Sequence, residues 1–101
     1  MSKILEFPSF TLKDGVIVDD FLTITQMFND EFLVKQKGFI SHKLLTKGDV
    51  WYQIVIWASM AEMEDAFKSI YESEAAAKFI ECIDQIGSDD EIPLFSIVKE
   101  Y

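Results

Sequence analysis

Residues Val50 to Asp65, VWYQIVIWASMAEMED, constrain this chain more than any other stretch. From Val50 to Trp57 the polar interruptions are Gln53 and the hydroxyl of Tyr52, whereas a strand with one solvated face alternates polar and apolar residues. Such a strand needs cover on both sides. Directly after it, Ser59 stands before Met60-Ala61-Glu62, the S-x-x-E pattern in which serine and glutamate each satisfy a free N–H at a helix start. A strand buried on both faces therefore runs straight into a capped helix.

The remaining elements follow from spacing. Ile4 to Lys13 reads as a strand that ends at Asp14-Gly15. Phe21, Ile24, Phe28 and Phe32 form the stripe of an amphipathic helix, with Gly38 as its C-terminal cap. Phe39 to Thr46 is a second strand, joined by a tight Lys47-Gly48 turn to the strand at Val50. The helix from Ser59 turns Met63, Phe67 and Ile70 inward, is interrupted at Ser73-Glu74, and resumes from Ala75 to Ile86 before Gly87. After an acidic loop at 88–91, Pro93 introduces a last strand from Leu94 to about Glu100. The order β-α-β-β-α-β closes most simply as a four-stranded antiparallel sheet with both helices on one face, a ferredoxin-like α+β fold in one domain over 1–101. Pro8 conflicts with a continuous central strand, so a bulge or a late strand start is expected there.

Two helices cover one face of that sheet, and the apolar second face needs another surface. A second copy packed sheet to sheet supplies it, so the expected assembly is a homodimer. Eighteen acidic residues against nine basic give a net charge of −9, which repels phosphate backbones and anionic lipids and argues against nucleic-acid and membrane partners. No segment reads as a targeting signal or a membrane span, so the expected location is the cytoplasm. Cys82, the sole cysteine, lies among Phe79, Ile80 and Ile83 and reads as a buried, unreactive thiol.

With Lys47-Gly48 as a two-residue turn, His42 faces Gln53 and Leu44 faces Trp51. Alternation then places Ile40, His42, Leu44, Trp51, Gln53, Val55 and Trp57 on one face, and Phe39, Ser41, Lys43, Leu45, Tyr52, Ile54 and Ile56 on the other. The one histidine, both tryptophans and a lone glutamine thus share a surface, an aromatic wall with few polar groups that suits a small-molecule pocket. Each has a plainer reading: His42 as a hydrogen-bonded edge or interface residue, the tryptophans as core mass. Gln53 in a buried strand needs a partner, whether His42, backbone or ligand. One histidine and one cysteine far apart make no zinc site, and neither a glycine-rich phosphate loop nor a nucleophile turn is present, so no metal or cofactor is expected.

Taken together, LEFPSFTLKDGVIVDDFL, KGFISHKLL and YQIVIWASMAEMEDAF resemble the antibiotic biosynthesis monooxygenase-like families of the dimeric α+β barrel superfamily. The resemblance implies a dimer and a pocket between sheet and helices. By position, Trp57 looks like the strand-end tryptophan of polyketide-oxidising members, and Gln53 takes the place of their pocket asparagine. Met63 stands where a pocket tyrosine is expected, and 75–77 reads Ala-Ala-Ala where a basic residue is sought, so a full monooxygenase set is absent. The heme-degrading branch implies an asparagine near Pro8, an aromatic residue for which Phe67 stands, and a histidine near Ala75 to Ala77. Two of these three are missing, and heme is not expected. The reading is a cofactor-independent monooxygenase-like protein that binds a small aromatic or polycyclic molecule. His42 is its base, and Gln53, Trp57, Trp51, Met63 and Phe67 are its binding residues. The alternative is a noncatalytic homodimeric ligand-binding or interaction protein.

Overall fold

The computed structural model describes residues 2–87 and 92–101, so the acidic loop expected at 88–91 lies outside the described residues. The chain runs β1 (Ile4–Glu6), β2 (Ser9–Leu12), α1 (Val18–Glu31), β3 (Phe39–Lys47), β4 (Val50–Trp57), α2 (Met60–Ser69), α3 (Glu74–Glu81), β5 (Ile83–Gln85) and β6 (Leu94–Ser96). All pairings are antiparallel: β4 lies between β3 and the consecutive pieces β1 and β2, while β6 and β5 flank β1 and β2 on the outer side. The six strands among the described residues therefore form four rows, two of them broken, and the fold is the ferredoxin-like α+β arrangement.

Pro8 is the reason the first row breaks. It has no N–H to give, and the ladder stops at Glu6 and restarts at Ser9, with the Pro8 carbonyl accepting from the Gln53 N–H at 3.1 Å. The outer row corrects the expected long helix. Ile83 to Gln85 is a strand against Leu12 to Phe10, where it satisfies backbone groups that a helix continuing to Ile86 would leave unpaired. Likewise, the last strand ends at Ser96 rather than near Glu100.

The β3–β4 hairpin turns at Gly48-Asp49, one residue later than expected, with Lys47 paired to Val50. Gly48 has φ +60° and no non-glycine among the described residues has a positive φ, so glycine occupies the position where a type II′ turn requires it. The register moves by two, setting Leu44 opposite Gln53 and His42 opposite Val55. An even shift preserves which residues share a face. Two positions do change sides: between Phe39 and Ser41 a bulge leaves Ile40 unpaired, so Phe39 packs on Trp57 at 6.0 Å and Ile40 is exposed.

Ser59 caps α2 as expected, its Oγ accepting from the Glu62 N–H at 3.2 Å and donating to Glu62 Oε1 at 3.0 Å. Gly38, in contrast, does not cap α1, which ends at Glu31 before a 3-10 turn at Leu33–Lys35. It holds φ +86°, and its carbonyl accepts from the Ala58 N–H at 2.7 Å. A Cβ there would lie 2.5 Å from Glu62 Oε2. Gly38→Ala is therefore expected to cost about 2 kcal/mol in urea denaturation, from left-handed backbone strain together with displacement of the capping glutamate. An unchanged midpoint would show that the segment relaxes freely.

The helices pack on one side of the sheet through aromatic rings. Phe21 and Phe28 of α1 meet Phe79 of α3 at 5.6 and 4.6 Å, and Phe10 from β2 meets both Phe21 and Phe79 at 5.9 Å. Ala75 and Ala76 let α3 come close, and Met63 and Ala66 carry α2 into the same core. Cys82 is buried just past α3, and burial pushes its thiol above the ordinary range. Such a thiol is poorly nucleophilic.

Candidate functional site

Between the helix side of the sheet and α2 and α3 lies a cavity of about 780 Å³. Its walls include Phe10, Phe28, Phe32, Val55, Trp57, Met63, Phe67 and Phe79, and exposed Met60, Tyr71, Ile80 and Leu94 stand at its rim. Against this apolar lining, two buried polar side chains face the cavity: Gln53 from β4 and Glu6 from β1.

Glu6 occupies an inward position because alternation in β1 turns Ile4 and Glu6 to the core and Leu5 away. It is 6% exposed, and its Oε1 accepts a hydrogen bond from the Trp57 indole N–H at 2.8 Å. Burial pushes the carboxyl up to about 7, with the Trp57 bond pulling the other way. The sequence reading missed this residue. Its signal was a lone carboxylate at core parity in ILEF, two residues from Ile4.

Gln53 joins the cavity to His42. The His42 ring lies 2.6 Å through Nε2 from Gln53 Oε1 and 3.1 Å through Nδ1 from Asn29 Oδ1, with its edge toward Phe28. A neutral ring donates through one nitrogen only, and the shorter contact assigns that N–H to Nε2, with Gln53 Oε1 accepting. Burial lowers the His42 pKa from its ordinary value, opposed by the bond to Gln53. The histidine does not line the large cavity. It lines a smaller polar recess of about 360 Å³ on the other side, with Leu22, Thr25, Gln26, Asn29 and Leu44.

The structure thus brings Gln53, Trp57, Met63 and Phe67 together around one space, with Phe67 half-exposed at its edge. It places His42 behind Gln53 and sets Trp51 apart, edge-on to Phe21 at 5.4 Å. Among the described residues no group of three or more His, Cys, Asp or Glu could hold a metal ion. No helix among them is long and apolar enough to cross a membrane.

No protein-family model and no curated protein matches the sequence. Solved structures do. The cofactor-independent oxygenase SnoaB from Streptomyces nogalater superposes with a TM-score of 0.77 at 16% identity, covering 99% of this chain and 97% of that one. A "putative antibiotic biosynthesis monooxygenase" from Chloroflexus aurantiacus gives 0.72 at 14% identity, with 99% and 97% covered. A protein of the same description from Bordetella bronchiseptica gives 0.71 at 16% identity over 100% of both chains. The chain shares the fold of the antibiotic biosynthesis monooxygenase structures over essentially its whole length.

Proposed function

We propose that this chain is a single-domain subunit of a cytoplasmic homodimer that binds a small aromatic or polycyclic molecule in the large cavity and oxidises it with dioxygen, without a cofactor. The observation that carries the reading is the cavity itself: large enough for two or three fused rings, lined by aromatic side chains, and provided with only a few polar groups to orient the guest. Trp57, Met63 and Phe67 pack against the rings. Gln53 holds an oxygen atom of the guest, and His42 fixes the Gln53 amide from behind. In this arrangement His42 acts through Gln53, and Trp51 supports the core beside Phe21. The similarity to SnoaB, a cofactor-independent oxygenase, supports the oxidative reading. Once a proton leaves the bound molecule, the resulting electron-rich anion supplies electrons to dioxygen.

The dimer draws support from the sheet face that the helices leave open. Leu5, Phe7, Tyr52, Ile54 and Ile56 lie there, half-buried, with Leu45 and Phe95 exposed beside them and Phe7 stacked on Tyr52 at 5.2 Å. A second sheet packed on this face removes it from water.

Native mass spectrometry tests both parts at once. The expected species is a dimer that takes up one bicyclic aromatic probe per subunit, accompanied by oxygen uptake when the probe is an oxidisable hydroquinone. A monomer at micromolar concentration would remove the assembly. Binding without oxygen uptake would leave a noncatalytic ligand-binding dimer.

A further inference from the structure

We infer that Glu6 and Gln53 together form a hydroxyl-recognition site in the cavity wall, with Glu6 as the base that takes the proton of an aromatic hydroxyl group. The inference rests on the cavity reading above and adds its substrate class: an aromatic molecule carrying a phenolic or stable enolic O–H.

The two side chains are diagonal neighbours. Glu6 pairs with Val55, and Gln53 lies two residues along β4 on the same face, a relation that sets side chains about 7 Å apart, so one oxygen atom between them reaches both. Each is half-committed. Glu6 Oε1 accepts from the Trp57 indole N–H, and Oε2 has no partner among the described residues. Gln53 Oε1 accepts from the His42 Nε2–H at 2.6 Å, and its own Nε2 has no partner among those residues. The pair therefore offers one acceptor and one donor. A hydroxyl group donates and accepts, and so satisfies both. An ether oxygen only accepts and an ammonium only donates, leaving one buried group unpaired in either case.

Proton transfer in this geometry is balanced. The aromatic O–H bond breaks, the proton moves to Glu6 Oε2, and the electron pair stays on the aromatic oxygen, where the Gln53 amide N–H holds it. Burial brings the carboxyl to about 7, closer to the range of an aromatic hydroxyl at about 10 than an exposed glutamate stands. Matching of this kind is what a base for a weak acid requires. The other titratable groups around the cavity are Glu64, Lys68 and Tyr71 on its α2 side, with His42 behind Gln53.

The test compares 2-naphthol with 2-methoxynaphthalene, which keeps the rings and the oxygen but has no proton to give, by titration calorimetry with parallel absorbance spectra at about pH 8. Wild type is expected to bind the naphthol about tenfold more tightly and to move its absorption to longer wavelength, as an aromatic O–H held by a carboxylate does. Glu6→Gln keeps an acceptor for Trp57, and is expected to hold the methoxy compound within about twofold while losing both the preference and the shifted absorption. Gln53→Leu, which leaves the carboxyl in place, is expected to lower the preference about threefold. If Glu6→Gln retains the full preference and the signal, Glu6 is not the base, and the cavity reading survives. If neither probe binds wild type, both readings fall.

Discussion

Glu6→Gln is expected to stabilise the folded chain by about 3 kcal/mol at pH 8 and to change little at pH 4, because the native carboxyl titrates near 7 rather than at 4.5. The folded state holds this proton more tightly than the unfolded chain does. The contribution of Glu6 is therefore most favourable below about pH 4.5 and is lost as pH rises through about 7, where a carboxylate must sit buried against apolar walls. Glutamine keeps the oxygen that accepts from Trp57 and has no charge to desolvate, so it escapes that loss. His42 runs the other way. With its pKa lowered by burial, it favours folding above the ordinary histidine range and weakens it as pH falls. Comparing wild type with Glu6→Gln across pH cancels the histidine and isolates the carboxyl. Urea denaturation between pH 4 and 8 reads the difference, and a difference that stays flat with pH would mean that Glu6 titrates as an exposed carboxylate does.

Trp57→Ala is expected to cost about 4 kcal/mol at neutral pH, the range for deleting a large buried aromatic ring. Trp57 is 1% exposed at the end of β4, packs edge-on to Phe39, and donates the one hydrogen bond that the Glu6 side chain has among the described residues. The substitution therefore removes packing and leaves a buried carboxylate without its donor. Trp57→Phe separates the two effects. It retains much of the ring volume, loses the N–H, and is expected to raise the Glu6 pKa beyond its present value, because the bond that stabilises the ionised form is gone. Its stability loss should shrink at acid pH, where Glu6 is neutral. A Trp57→Phe variant with an unshifted Glu6 titration, followed by carboxyl NMR, would show that the indole bond does not reach the carboxyl in solution.

The pattern of the sequence was most legible where one element dictated its own surroundings. Val50 to Trp57 is a strand with the expected bounds, Ser59 caps the helix that follows, and Ser73 starts a new helix where an interruption was expected. It was least legible at Ile83 and Ile86, whose spacing continues a helical stripe equally well. Only the unpaired backbone of β2 makes 83–85 a strand. Short apolar runs carry no period long enough to decide such a choice.

Within the cavity wall the division is similar. Period two alone put His42, Gln53, Val55 and Trp57 on one surface, and because the register error was even, that grouping held in the structure while Ile40 and Phe39 exchanged sides at the bulge. Which of these residues reach the large cavity was not legible. His42 and Gln53 are a bonded pair, yet they open onto different spaces, since the ring also contacts Asn29 on α1 and lines the smaller recess while Gln53 lines the large cavity. Glu6 was legible in principle, but a single inward carboxylate becomes meaningful only once a tryptophan from another strand is seen to bind it.

The sequence by itself determined the ferredoxin-like order of elements and the doubly apolar sheet, because these depend on local periodicity, capping and composition. The tertiary structure alone decided that Glu6 and Gln53 lie diagonally across β1 and β4 in the wall of an apolar cavity while His42 stands behind Gln53. That outcome depends on strand register, a bulge and a proline break, which bring together residues 47 positions apart through backbone pairing that no local pattern encodes.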